Sequence, residues 1–239
     1  MISTSVFLNY ENITNKSAIV TGASGGIGRV VAKRLASDGF AIAVHYAGNP
    51  AKAEAVVTEI KGAGGKAIAV QADVAKPADV ETLFQADARS LWHDRCGRAH
   101  GGNYAPASNL RRRCRNFRQS NRDQFARNFS GAGTSGDSTF PQAGASSLSP
   151  AASLLKSFPN YGPYIASKAG VEGLVRVLAN ELRGRNITVN TVAPGPIPTE
   201  LFLKGKTEAQ IEQFKKLPPL ERLGQAEDIA GVVSFLAGP

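Results

Sequence analysis

The chain has little of the chemistry that marks several protein classes. Cysteine occurs only twice in 239 residues, as Cys96 and Cys114, and never as a Cys-x-x-Cys pair. That argues against a disulfide scaffold or a thiolate zinc site, so no metal is expected, and it suits a reducing cytoplasm. No run of eighteen apolar residues is present, so a membrane span is not expected. The opening stretch MISTSVFLNYENITNK lacks the basic start and apolar run of a secretory leader. No internal repeat is visible. What remains is a chain of ordinary apolar content, long enough for one large α/β domain over residues 1–239.

A more local absence lies between residues 87 and 150. That stretch holds no valine, isoleucine, methionine, lysine or glutamate, yet it holds ten arginines against four aspartates. Most of the formal charge of +9 therefore belongs to one segment. Strands of a buried parallel sheet draw on β-branched apolar residues, so the fourth and fifth strands of such a sheet would be irregular here. Within it, RAHGGNYAPASNLRRRCRNFR (98–118) raises the question of a nucleic-acid surface, with arginines on phosphate and Phe117 stacking on bases. A solvated basic stretch is the preferred reading, with no nucleic-acid partner.

Outside that stretch the chain alternates strand and helix patterns. SAIVTG (17–22) is a short apolar run ending in glycine, as a buried parallel strand does. GGIGRVVAKRLASDGF follows with Ile27, Val30, Val31 and Leu35 on one helical face and Gly39 as its stop. AIAVHY, NPAKAEAVVTEIKGAGG, KAIAVQADV and KPADVETLFQ continue the alternation. Near Ser157 the pattern resumes, with a helix over GPYIASKAGVEGLVRVLANELRG, a strand over NITVNTVAPG and helices over EAQIEQFKKL and AEDIAGVVSFLAG. This order predicts a doubly wound parallel sheet, Rossmann-like, without a strand after the last helix.

Two motifs carry chemistry. TGASGGIG (21–28) places Gly22, Gly26 and Gly28 between a strand and a helix. Missing side chains allow a tight turn and close approach, and the free N–H groups of the helix start favour a pyrophosphate. A bland βα turn is the alternative. The next strand ends AVHYAGNP, with no carboxylate before Glu54. A ribose diol is usually held by an acid there, so NADP is favoured over NAD. His45 could assist a 2′-phosphate, although a strand-end histidine is more often structural or merely exposed. Downstream, Tyr164 and Lys168 stand four residues apart, on one helical face. An ammonium near a phenol favours the phenolate and makes the tyrosine a usable proton donor or acceptor.

Taken together, TGASGGIG, Ala72-Asp73-Val74, YIASK, Pro194-Gly195 and PLERLGQAEDIA resemble a short-chain dehydrogenase/reductase, nearest in style to the 3-oxoacyl-carrier-protein reductases. The resemblance covers about residues 16–86 and 157–238. It implies that Gly22, Ser24, Gly26, Ile27 and Gly28 line the pyrophosphate, and that Asp73 and Val74 flank the adenine. Tyr164 would carry the proton, and Lys168 would bind the nicotinamide ribose. Pro194, Gly195, Ile197 and Thr199 would sit near the nicotinamide. A turn role for Asp73 and a helix-cap role for Thr199 stay open. The resemblance also implies a small carbonyl or alcohol substrate and a homo-oligomer.

The same resemblance exposes what is missing. The family's Asn-Asn-Ala-Gly motif, catalytic asparagine and catalytic serine would all fall within or beside residues 87–153. Twelve and thirteen positions before Tyr164 stand Ala152 and Ala151, where the serine is expected. Yet the spacing from Gly22 to Tyr164 is that of the family. Codons for Arg98 to Tyr104, read one nucleotide later, permit Val-His-Thr-Ala-Gly-Ile-Met. Codons for Gln124 to Phe129 permit Asn-Leu-Arg-Gly-Thr-Phe in the same shifted frame. Residues 87–153 are therefore read as out-of-frame translation. The expected function is an NADP-dependent short-chain oxidoreductase that transfers a hydride between nicotinamide and a carbonyl or secondary alcohol, with impaired activity; the alternative is a non-catalytic NADP-binding or interaction protein of the same descent.

Overall fold

The computed structural model describes residues 4–10, 16–90, 143–148, 162–184 and 188–238. In chain order the elements are β1 (Ser5–Tyr10), β2 (Lys16–Val20), α1 (Gly26–Ser37), β3 (Ala41–Tyr46), α2 (Pro50–Gly62), β4 (Lys66–Gln71) and α3 (Pro77–Ser90). These are followed by β5 (Ala143–Leu148), α4 (Gly162–Glu181), β6 (Thr188–Val192), α5 (Glu200–Leu203), α6 (Glu208–Lys215) and α7 (Ala226–Ala237). The six strands form one sheet in the order β4-β3-β2-β1-β5-β6.

Alternation along the strands sets two apolar layers. Ala18, Val20, Ile42 and Val44 point to one face, where they pack with Val31 and Leu35 of α1, Val56 of α2 and Val233 of α7. Ile19, Ala43 and Val70 point to the other, where they meet Leu83 of α3. Burying each of these valine, leucine and isoleucine side chains contributes about 1.5–3 kcal/mol. The helices end where the sequence places glycine: Gly39 after α1 and Gly184 after α4 adopt φ values of +90° and +80°, which side chains with a Cβ rarely tolerate.

Two strands depart from the sequence pattern. β1 was not expected, and it runs antiparallel to both neighbours, with Val6 opposite Val20 on one side and Ser146 on the other. All described hydrogen bonding between the β2 and β5 sides of the sheet passes through it, and Val6 is buried in the main core. β5 lies inside the stretch expected to be irregular. Its sequence AGASSL has no β-branched residue, yet β1 and β6 flank it with paired backbones. Backbone pairing needs no particular side chain, so position between two strands outweighs weak propensity.

β2, β3 and β4 run parallel, as do β5 and β6. Because β1 opposes both β2 and β5, the five other strands share one direction. Their C-terminal ends form a single edge; described loops leaving it carry the glycine motif, Asp73, Val74 and residues 194–199, while Tyr164 and Lys168 stand on α4.

Candidate functional site

The glycine loop leaves β2 at Thr21 and enters α1 at Gly26. Gly22 and Gly26 have φ values of +65° and +53°. Gly28 is needed for a different reason: a Cβ there would lie 2.5 Å from the Gly22 carbonyl oxygen. Ser24 is half-buried in the loop, and Ile27 packs its side chain onto the main core.

The start of α1 is chemically open. Its N-cap is Gly25, with no side-chain cap and no acidic residue in the first turn. Helices α2 and α6 differ. Asn49 accepts from Lys52 N–H at the start of α2, and Thr207 accepts from Gln210 N–H at the start of α6. First-turn N–H groups with no side-chain cap among the described residues, at a positive helix end, suit an anion, so the loop fits the pyrophosphate of a dinucleotide.

Thr199 closes one side of this loop. Its Cγ2 lies 3.5 Å from the position a Gly26 Cβ would take. Its hydroxyl also accepts from Phe202 N–H at 3.2 Å and caps α5, so the helix-cap role applies as well as proximity to the loop. Pro194 and Ile197 are buried, and Gly195 is exposed. The Pro196 carbonyl accepts from Gly224 N–H at 2.9 Å, which fixes the strand-to-helix segment against the C-terminal region.

At the end of β4, Asp73 forms a turn. Its carboxylate accepts from Ala75 N–H at 3.0 Å, and its own N–H donates to Asp79 at 2.9 Å. The turn role is therefore present, with Val74 half-buried beside it. At the end of β3, no carboxylate appears between Tyr46 and Asn49. Lys52 in the first turn of α2 reaches Glu200 of α5, Nζ to Oε2 at 2.9 Å. That ammonium holds the Glu200 carboxyl below its usual range. His45 does not extend toward this opening. It is fully buried, and both ring nitrogens are engaged: Nδ1 accepts from Gly22 N–H at 3.0 Å, and Nε2 lies 2.9 Å from the Ala72 carbonyl. The suggested contact of His45 with a 2′-phosphate is thus corrected.

Tyr164 stands in the first turn of α4, which packs along β6. Lys168 lies one turn on, with its ammonium 5.7 Å from the Tyr164 ring centroid. Only 7% of Lys168 is exposed, an unusual place for an ammonium. Burial pushes its pKa below the usual lysine value. Ala151, Ala152 and the expected positions of the asparagine and the Asn-Asn-Ala-Gly motif lie outside the described residues. Among the described residues no group of three His, Cys, Asp or Glu side chains is placed to hold a metal. No described helix is long and apolar enough to cross a membrane.

Family models match both parts of this chain. The one described as short chain dehydrogenase matches residues 16–92, and the one described as enoyl-(acyl carrier protein) reductase matches residues 140–239. A short-chain type dehydrogenase/reductase of Picea abies is 38% identical over 238 residues, covering 92% of this chain and 84% of the relative. A 3-oxoacyl-[acyl-carrier-protein] reductase of Staphylococcus epidermidis is 37% identical over 228 residues, covering 93% and 91%. Among solved structures, a short chain dehydrogenase from Burkholderia cenocepacia in complex with NADP superposes with a TM-score of 0.66. It is 29% identical, with 92% of this chain and 89% of that chain covered.

Proposed function

The chain belongs to the short-chain dehydrogenase/reductase family, and we propose that it is an NADP-dependent oxidoreductase acting on a small carbonyl or secondary alcohol. The observation that carries this reading is the burial of Lys168 beneath the Tyr164 ring. A lysine with no task on a helix surface would extend its ammonium into water. Held beside a phenol, the charge favours the phenolate, so Tyr164 can give a proton to a carbonyl oxygen or take one from an alcohol.

In this reading Gly22, Ser24, Gly26, Ile27 and Gly28 hold the pyrophosphate, and Asp73 and Val74 flank the adenine. Lys168 holds the nicotinamide ribose. Pro194, Gly195, Ile197 and Thr199 form the wall at the nicotinamide. The cofactor, when bound, supplies or accepts the hydride. Preference for NADP is supported by the absence of a carboxylate at the end of β3, where repulsion of a 2′-phosphate would arise. The NADP complex of the Burkholderia relative supports it too. A cytoplasmic setting and a homo-oligomer belong to the same proposal. The reading of residues 87–153 as out-of-frame translation also stays part of it, with reduced activity as its consequence.

The test is a fluorescence titration with NADPH and NADH, followed by NADPH oxidation with a panel of ketones and acetoacetyl thioesters. The chain is compared with a frame-corrected version. NADPH is expected to bind more tightly than NADH, and the corrected version is expected to turn over faster. Binding without any carbonyl reduction in either version would leave a non-catalytic NADP-binding protein. Absence of turnover and of binding in both would end the oxidoreductase reading.

A further inference from the structure

His45 is the one histidine among the described residues, and its position ties together three segments of the cofactor edge. Its ring joins the glycine loop, through Gly22 N–H, to the end of β4, through the Ala72 carbonyl. Its own carbonyl accepts from Ala23 N–H at 3.0 Å. The next residue continues the pattern, since the Tyr46 carbonyl accepts from Ala72 N–H at 3.1 Å. The side chain lies on the α3 face of the sheet, as Ala43 does two residues earlier, and is fully buried.

The two ring bonds fix the protonation state. Gly22 N–H is a donor, so Nδ1 must offer a lone pair. The Ala72 carbonyl is an acceptor, so Nε2 must carry the hydrogen. Only the neutral Nε2–H tautomer satisfies both. A proton on Nδ1 would set two N–H groups against each other at 3.0 Å and leave Gly22 N–H without its partner. Gly22 is also the residue with φ of +65° on which the loop turns.

We propose that His45 is a positioning residue of the dinucleotide site: its neutral imidazole clamps the glycine loop in the shape that receives the pyrophosphate, and protonation releases it. This rests on the dinucleotide reading above. The surroundings favour the neutral state. Thr21 to Gly25, Val20 of β2 and Val70 to Ala72 of β4 bring no ionisable group. Tyr46 adjoins it on its own strand. The described charges on the α3 side are Asp73 and Lys76 in the turn, with Asp79 and Glu81 on the helix. Asp73 and Asp79 are engaged with backbone N–H groups of that turn. Burial therefore dominates and lowers the His45 pKa from the usual 6.5, against the opposing pull of the Ala72 carbonyl. The sign follows from linkage. The clamp is intact above the unfolded-chain value of 6.5 and is lost as pH falls toward the lower folded value.

The experiment measures NADPH and NADH dissociation constants between neutral and mildly acidic pH for the parent chain and for His45→Asn. The asparagine amide oxygen can accept from Gly22 N–H at any pH but cannot reach the Ala72 carbonyl. Because the 2′-phosphate of NADPH itself gains a proton near pH of about 6, the readout is the ratio of parent to variant at each pH. NADH, lacking that phosphate, serves as the second ligand. His45→Asn is expected to bind more weakly at neutral pH. The parent is expected to lose roughly threefold or more additional affinity by mild acid, relative to the variant, for both ligands. Equal pH dependence in parent and variant overturns the proposal. A long-range ¹H–¹⁵N spectrum of the parent gives a readout that needs neither the variant nor the cofactor. An Nδ1–H tautomer or an imidazolium at neutral pH overturns the proposal too. A chain that shows the Nε2–H tautomer yet binds neither dinucleotide overturns the functional reading and, with it, the loop's role in binding.

Discussion

The glycine-loop side and the tyrosine–lysine side of the candidate site are built on different terms. The first, from β2 to α3 with α7 packed on α1, is closely packed. Leu35, Ile42, Val44 and Val56 are all 0% exposed, and the His45 bonds join its loops to one another. The second, α4 on β6, inverts the usual pattern. Its lysine is buried, while Leu174 and Val177 are 60% and 55% exposed. Under the proposed function, the cofactor side carries stability and the α4 side carries chemistry. Substitutions on the two sides should separate accordingly, into losses of folding and losses of rate.

The sharpest separation is expected from Tyr164→Phe. Removing only the hydroxyl leaves the ring against Lys168 but deletes the proposed proton donor. Steady-state turnover in the frame-corrected chain should fall about 10²- to 10⁴-fold, with the thermal midpoint close to the parent's. Retention of most of the rate would move proton transfer away from Tyr164. The counterpart on the cofactor side is Leu35→Ala. It empties a fully buried site between α1, the sheet and α7, and urea denaturation should show a loss of about 2–5 kcal/mol. A loss under 1 kcal/mol there would mean that the cofactor side is not the stable one.

The same division governed what could be read from the residues. α1, α2 and α3 announce themselves by apolar spacing, and the glycine stops follow from backbone sterics, so local rules sufficed. The places of the glycine loop between β2 and α1, and of Tyr164 and Lys168 one turn apart on a helix, were legible because each is a short motif whose spacing can be read locally. β1 was not legible. SVFLNY contains strand formers, but its place between β2 and β5 is decided by which backbone edges lie open, a tertiary matter. β5 was hidden for the reason that AGASSL has no propensity of its own. For His45 a structural place was legible as the commoner fate of a strand-end histidine, but its two ring partners were not, because AVHY shows neither burial nor partners. Its one available signal was parity, since residues 41, 43 and 45 share a face that the apolar pattern marks as inward.

Gly28→Ala tests the boundary between the two kinds of loss. The new methyl would press on the Gly22 carbonyl, and the backbone must shift to admit it. A loss of about 1–3 kcal/mol is expected, together with a larger fractional loss of NADPH affinity than Leu35→Ala causes under native conditions. If affinity and stability fall in the same proportion for both variants, the loop has no binding role separate from folding.

The smallest effect is expected at Leu174. It lies mid-helix on α4 with most of its surface in water, so its truncation to alanine removes little packing. In dilute solution Leu174→Ala should change stability by no more than about 0.5 kcal/mol. If α4 meets a second copy of the chain, as the oligomer reading requires, the variant should also weaken self-association in sedimentation runs. The stability difference should then grow with protein concentration, because a partner that binds only the folded chain stabilises it by mass action. A concentration-independent loss of several kcal/mol would contradict both expectations. It would show that α4 is covered within its own chain, and the contrast between the two sides of the site would fail on the α4 side.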